Sequence, residues 1–239
     1  MTAERRTAAV IPAAGRGERL GPGAPKALRL LGGAPLLAHA VRAMSASHAI
    51  DLIVVAAPAD QLDEVHSLLD QPDLSTEIVI VAGGESRQAS VARALAALPA
   101  DIDVVLVHDA ARPLVPAELV AAVAAAVHAG NPAVVPGLPV VDTIKRVDDG
   151  GRVVVTVDRG PLRAIQTPQG FTRRVLEAAH AAAGPGGDSA TDDAGLVEMA
   201  GEPVLVIAGH EEAFKVTRPI DLVLAEALLA RRRAAGVVT

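Results

Sequence analysis

The sequence predicts a doubly wound α/β fold with a mostly parallel sheet, and three observations carry that expectation. Short runs of Val, Ile, Leu and Ala recur along the chain, stretches with helical spacing lie between them, and Gly and Pro punctuate the joins. Near-continuous apolar runs alternating with helices are strands covered on both faces. In such a sheet the ligand lies beyond the carboxyl ends of the strands. The length, 239 residues, suits one large domain spanning 1–239.

Five strands are expected from "AAVIP" at 8, "DLIVVAA" at 51, "EIVIVAG" at 77, "DVVLVHD" at 103 and "PAVVPG" at 132. Helical spacing appears in "PLLAHAVRAM", "DQLDEVHSLLD", "SRQASVARALAAL" and "PAELVAAVAAAVHAG". Pro35 and Pro116 sit where a first helical turn accepts Pro, and Gly130 sits where a helix would stop. After residue 137 the pattern changes. "VVDTIKRVDDGGRVVVTVD" holds two strand-like runs joined by "DDGG", a hairpin turn, which makes residues 138–159 an arm within the domain. Helices return at "TRRVLEAAHAAAG", "TDDAGLVEMAG" and "RPIDLVLAEALLARRR", with the strand "PVLVIAG" between and a flexible loop at "GPGGDSA".

Composition removes several functions. Hydrophobic residues make up 51%, enough for a sizeable core, yet there are two Phe and neither Tyr nor Trp, so bases cannot be stacked on aromatic platforms. A net charge of -6 argues against a nucleic-acid surface. The absence of Cys excludes disulfides and thiol chemistry, and the seven His lack metal-ligand spacing. No apolar run is long enough for a membrane span. The N-terminal apolar stretch, broken by Pro12 and Gly15, is unlike a signal peptide, so a cytoplasmic protein is expected.

The chemistry concentrates after the first strand, in "VIPAAGRGERLGPGAPKAL". Gly15 and Gly17 let the backbone approach an anion closely. Gly15, Gly17 and Gly21 do not have the dinucleotide-binding spacing, and Lys26 is followed by Ala27 rather than by Ser or Thr, so neither common Gly-rich phosphate loop is present. What remains is an extended loop carrying Arg16, Arg19 and Lys26. A triphosphate needs cations along its length, but a solvated loop has the same look, and spacing alone leaves both open.

Cation usage favours the first reading. Of 22 cationic residues only Lys26, Lys145 and Lys215 are Lys. Arg is therefore the default surface cation, and a compact ammonium charge at a strand end or loop marks a different task; Lys145 is the weakest of the three cases. "VHDAARP" places Asp109 at the end of the fourth strand, where it could orient Mg2+ or hydroxyl groups, or simply cap a turn. "GGESRQAS" is a Gly-Gly turn feeding a helix, able to read a nucleobase edge, although Ser86 could serve only as the helix cap.

"IPAAGRGERLGPGAPK", "GGESRQAS", "VHDAARPLV", "DTIKRV", "TVDRGPLRAIQTPQGF", "ATDDAGLVE" and "FKVTRPIDLVLAE" together resemble the 2-C-methyl-D-erythritol 4-phosphate cytidylyltransferases, in order and through nearly the whole chain. The resemblance implies a nucleotidyltransferase-like fold, a cytoplasmic homodimer built through the hairpin arm, and Mg2+-dependent transfer from CTP to methylerythritol phosphate in non-mevalonate isoprenoid synthesis. It implies that Arg19, Lys26, Arg159 and Lys215 are catalytic, with Arg159 delivered into the neighbouring subunit's site. Pro12, Ala13, Ala14, Gly15, Arg16, Gly17, Gly83, Gly84, Ser90 and Ala110 would hold CTP. Asp109, Arg112, Thr143, Arg159, Thr167 and Lys215 would hold the acceptor. Mg2+ would be held mainly by the CTP phosphates, with Asp109 as the one candidate protein ligand. The family commonly has Gln where this chain has Ala27.

The residues agree with that chemistry. A phosphate monoester nucleophile is largely dianionic at neutral pH, so no side chain need remove a proton, and the lack of a catalytic His or Cys is expected. The nearest rival is a ribitol 5-phosphate cytidylyltransferase. A nicotinamide-dependent oxidoreductase is disfavoured by the Gly spacing and by Ala57 and Pro58 where a ribose-binding acid would stand.

Overall fold

The computed structural model describes residues 5–15, 25–72, 74–184 and 190–236. Arg16, Gly17 and Arg19, together with most of the loop at "GPGGDSA", lie outside the described residues. The elements run in the order β1 (Arg6–Pro12), β2 (Leu30–Leu31), β3 (Ala34–Pro35), α1 (Leu36–Ala46), β4 (Leu52–Ala57), α2 (Leu62–Leu69), β5 (Glu77–Ala82), α3 (Arg87–Ala96), β6 (Ile102–Val107) and α4 (Ala117–His128). They continue with β7 (Ala133–Pro139), β8 (Ile144–Val147), β9 (Val153–Val157), β10 (Arg163–Ile165), β11 (Gln169–Thr172), α5 (Arg173–Ala183), α6 (Asp193–Met199), β12 (Leu205–Ala208) and α7 (Pro219–Ala234). Among the described residues no helix is long and apolar enough to cross a membrane.

β5, β4, β1 and β6 pair in parallel, as the apolar runs predict. The side chains of β1 alternate between two cores. Ala9 and Ile11 face Val41 and Met44 of α1 and Val120 and Val123 of α4; Ala8 and Val10 face Val91 and Leu95 of α3 and Leu176 of α5. The period-two alternation of a strand thus distributes one run over both faces of the sheet.

Beyond β6 the sheet departs from simple parallel order. β11 inserts antiparallel between β6 and β7, β10 runs antiparallel to the far end of β7, and β12 pairs with β7 in parallel. Gly170 makes the insertion fit: a Cβ there would lie 2.7 Å from Val123 Cγ1 and 2.9 Å from Val127 Cγ2, so α4 packs directly on the β11 backbone. Leu138 and Pro139, expected at the start of the arm, belong instead to β7, because they pair with Ala164 and Arg163. Pro35 and Pro116 also sit one place earlier than expected, as the caps before α1 and α4 rather than inside the first turn. Gly130 follows α4 with φ +106, the left-handed conformation that stops a helix at low cost.

The arm is its own antiparallel sheet, β8 with β9, closed over Asp148–Gly151 where Gly151 takes φ +77. Val147, Val153, Val154 and Val155 stand exposed on it. At the other end of the chain, α7 covers Leu31, Leu36, Leu114 and Val216 with Ala225 and Leu229.

Candidate functional site

The carboxyl ends of β1, β5 and β6 open onto one cavity of about 240 Å³. Its described lining includes Pro12, Ala13, Ala14 and Gly15 after β1, Gly84, Ser86, Arg87 and Ser90 around the start of α3, Asp109 and Ala110 after β6, and Lys26 and Lys215. Pro12, Ala13, Ala14, Gly15, Gly84, Ser90 and Ala110 are positions predicted for CTP; of the others, Arg16 and Gly17 lie outside the described residues and Gly83 stands just behind the lining. A Cβ at Gly83 would lie 2.4 Å from Ala14 Cβ and 3.1 Å from Ser90 Oγ, so only Gly lets the β1 and β5 loops touch. Ser90 locks the turn: its hydroxyl accepts from Gly84 N–H at 3.0 Å and donates to the Ser86 carbonyl at 2.9 Å. Ser86 is the α3 cap, accepting from Ala89 N–H at 3.0 Å.

A second cavity, about 440 Å³, adjoins the first. Asp109, Arg112, Thr167 and Lys215 line it, as predicted for the acceptor, together with Gln166, Gln169, Thr191 and Asp192, which sequence reasoning did not assign. Arg87, Asp109 and Lys215 line both cavities and form the wall between them. Thr143 and Arg159 join neither. Both are exposed on the arm, where Arg159 Nη1 donates to the Val141 carbonyl. Lys145 is on the arm too, donating across the hairpin to Thr156 Oγ1 at 2.5 Å.

The wall is an ion-pair chain. Lys215 Nζ lies 2.7 Å from Asp109 Oδ2, and Arg87 Nε lies 3.2 Å from Asp109 Oδ1. Burial opposes the Asp109 charge, but Arg87 and then Lys215 hold its carboxyl well below the usual carboxylate range. Burial likewise works against the Arg87 charge, and Asp193 and Asp109 more than offset it. Arg87 was missed in the sequence. One signal was available: a cation in the first turn of a helix opposes the helix dipole and calls for a nearby anion.

Behind the wall, His108 is fully buried, and burial pushes its pKa down to about 4. The neutral ring fixes a relay. His108 Nε2–H donates to the Arg112 carbonyl at 3.2 Å, Thr167 Oγ1–H donates to His108 Nδ1 at 3.1 Å, and Asp109 N–H donates to Thr167 Oγ1 at 3.1 Å. Arg112 is buried and donates to the Ala213 and Ile165 carbonyls at 2.6 and 3.3 Å, so it braces the cavity. The Gln166 amide pairs both ways with the His210 backbone. α7 secures the same segment: Glu212 accepts from Arg231 and Arg232, and Arg232 reaches the Leu114 carbonyl at 2.7 Å. Lys215 is therefore presented by a segment tied down on three sides.

A family model described as IspD, 2-C-methyl-D-erythritol 4-phosphate cytidylyltransferase, matches residues 7–231. The chain is similar to a 2-C-methyl-D-erythritol 4-phosphate cytidylyltransferase of Streptomyces avermitilis, 61% identical over 236 residues, covering 95% of this chain and 93% of that protein. It is 58% identical over 229 residues to one of Frankia casuarinae, covering 96% and 83% of the two chains. Among solved structures, the 2-C-methyl-D-erythritol 4-phosphate cytidylyltransferase of Thermus thermophilus superposes with TM-score 0.76 at 40% identity, covering 94% and 99%. A 4-diphosphocytidyl-2C-methyl-D-erythritol synthase of Anaerococcus prevotii gives TM-score 0.83 at 30% identity, covering 95% and 99%.

Proposed function

The chain belongs to the 2-C-methyl-D-erythritol 4-phosphate cytidylyltransferase family, and from that premise we propose how its two cavities divide the reaction. The enzyme transfers the cytidylyl group of CTP to 2-C-methyl-D-erythritol 4-phosphate in isoprenoid biosynthesis. The products are 4-diphosphocytidyl-2-C-methyl-D-erythritol and pyrophosphate. The ribitol 5-phosphate alternative is not favoured.

CTP occupies the cavity at Pro12–Gly15, Gly83, Gly84, Ser90 and Ala110, and the acceptor occupies the cavity at Asp109, Arg112 and Thr167. The single observation that supports this division is the shared wall of Arg87, Asp109 and Lys215. Two ligands that must meet at one phosphorus need adjoining sites with positive charge at the junction. An oxygen of the acceptor's phosphate dianion attacks the CTP α-phosphorus. A new P–O bond forms there, and the bond to the departing pyrophosphate breaks. Lys26 faces the triphosphate and Lys215 the acceptor phosphate, each stabilising charge as it spreads over the transferring group; Arg16 and Arg19 would extend the cationic set along the CTP phosphates.

Mg2+ suits this donor set only as an ion carried by the nucleotide. Among the described residues no group of three or more His, Asp or Glu gathers, and the carboxylates lining the CTP cavity are Glu85 and the ion-paired Asp109. Asp109 has used two of its roughly four lone-pair sites and keeps acceptor capacity. It is the residue that would join the ion, which when bound neutralises the β- and γ-phosphates of the leaving group.

The enzyme acts as a cytoplasmic homodimer in which the arm crosses to the neighbour, carrying Thr143 and Arg159 into that subunit's acceptor cavity. Two features support this: both residues lie away from the cavities of their own chain, and the arm exposes Val147, Val153, Val154 and Val155. The test of the whole reading is pyrophosphate release, measured with each nucleoside triphosphate and each polyol phosphate, with and without Mg2+. Release from CTP only with methylerythritol phosphate and Mg2+ is expected. Equal turnover with ribitol 5-phosphate, or none with methylerythritol phosphate, would overturn it.

A further inference from the structure

We infer that Asp193, backed by His180, is a positioning residue for the transfer reaction, acting through Arg87 on Asp109 and Lys215. The inference rests on the site assignment proposed above, in which the wall between the cavities is where the two substrates meet.

The contacts form one unbroken line. His180 Nε2 lies 2.9 Å from Asp193 Oδ1, and Asp193 Oδ2 lies 2.6 Å from Arg87 Nη1. From Arg87 the line continues through Asp109 to Lys215, as described. Asp193 opens α6 and His180 sits in α5, so two helices on one face of the sheet reach the catalytic edge through a single guanidinium. Asp193 accepts from both neighbours, which requires His180 to carry its proton on Nε2.

Stability does not account for this arrangement. The Asp193 side chain is 1% exposed. A buried ion pair is commonly no better for stability than apolar residues of the same volume. What the pair does supply is geometry. An Arg beside an Asp prefers a two-pronged contact that takes both carboxylate oxygens. Asp193 claims Nη1 of Arg87, leaving Nε for Asp109 Oδ1 and keeping Asp109 Oδ2 for Lys215. Without Asp193, Arg87 is free to grip both Asp109 oxygens or to swing toward an incoming phosphate, since its side chain is 31% exposed at the cavity rim. Either move displaces the Lys215 ammonium.

Asp193→Asn keeps the side-chain shape and removes the charge. It should lower kcat/KM for methylerythritol phosphate by about 10–100-fold, the scale of a 1 Å misplacement, with the Kd for CTP within about twofold of the parent. The discriminating readout is a double-variant cycle with Lys215→Ala. If Asp193 acts through Lys215, adding Asp193→Asn to Lys215→Ala should cost no more than about a further threefold. Multiplicative losses in the double variant would overturn the inference, as would parental acceptor kinetics in Asp193→Asn. Should Asp193→Asn fail to fold, Arg87→Lys tests the same link at the partly exposed rim. A single ammonium cannot span both carboxylates in this way, so the same acceptor-specific loss is expected, and parental kinetics would overturn the inference. Lys215→Ala with parental activity would overturn the site assignment and this inference with it. Lys215→Ala impaired and Asp193→Asn unimpaired would overturn this inference alone.

Discussion

Lys215 Nζ and Asp109 Oδ2 lie 2.7 Å apart, and that ion pair joins the loop after β6 to the segment before α7. It places an ammonium on the boundary of two cavities, whereas Lys26 lines only the first. The two lysines should therefore fail differently.

Lys26→Ala should lower kcat by roughly 10²–10³-fold, the cost of one electrostatic contact to a transition state, with little change in the KM for methylerythritol phosphate. Lys215→Ala should lower kcat and also raise that KM. The melting temperature should stay close to the parent for Lys26→Ala, whereas Lys215→Ala should melt lower, because it takes an ion-pair partner from the buried Asp109 carboxylate. Steady-state kinetics with each substrate varied, beside thermal melts, check the split. A Lys26→Ala enzyme with near-parental kcat would contradict the assignment.

Stability should fall as the solution is acidified from pH 6.5 toward 4. The unfolded chain takes up a proton on His108 near pH 6.5, whereas the buried ring resists it down to about 4. Between those values the unfolded state binds more protons, so acid favours unfolding. The shift corresponds to about 3 kcal/mol. Burial lowers His39 as well, which adds loss in the same direction. Asp109 and Asp193, held low by their cations, lose their contribution only below about pH 4, outside this window. Denaturant melts at pH 7.5 and 4.5 test this. His108→Gln should flatten the pH dependence, and a variant with the parental slope would reject the account.

The sheet was legible where its strands carry apolar runs, and this holds for β1, β4, β6 and β7 as well as for β5 at the sheet edge, which is only partly buried. β11 was not. Its four residues include Gln169 and Gly170, and they form a strand because Gly170 lets α4 sit on the backbone, a tertiary fact with no local pattern. The site divides in the same way. Gly83 and Gly84 announce themselves by residue type just beyond the end of β5, and Lys26 and Lys215 by being lysines in connecting segments. Arg87 does not, because Arg is the common cation here and its importance comes from Asp109 and Asp193, which are far away in sequence.

Gly83→Ala should damage both fold and nucleotide binding. The added methyl would lie 2.4 Å from Ala14 Cβ and 3.2 Å from the Ala57 carbonyl, so the loop after β1 must shift. Overpacking of this kind costs about 1–3 kcal/mol, and Ala13 to Gly15 would move with it. A lower melting temperature together with a raised KM for CTP is expected. An unchanged pair of values would mean that the Gly83 contact carries nothing.

The arm makes the strongest demand on the proposal, because it can be tested without any structure of a dimer. Lys26 lines a cavity of its own chain, while Arg159 lies exposed on the arm and lines neither cavity. If Arg159 serves the neighbour, each site of a two-fold dimer takes Lys26 from one chain and Arg159 from the other. Lys26→Ala and Arg159→Ala homodimers should each be nearly inactive. When the two are co-expressed or refolded together, a mixed dimer gathers both lesions in one site and leaves the other site intact. Random mixing makes half the dimers mixed, so about a quarter of all sites, and about a quarter of parental activity, should return. If Arg159 acts within its own chain, every site of the mixed dimer keeps one lesion and activity stays at the level of the separate variants.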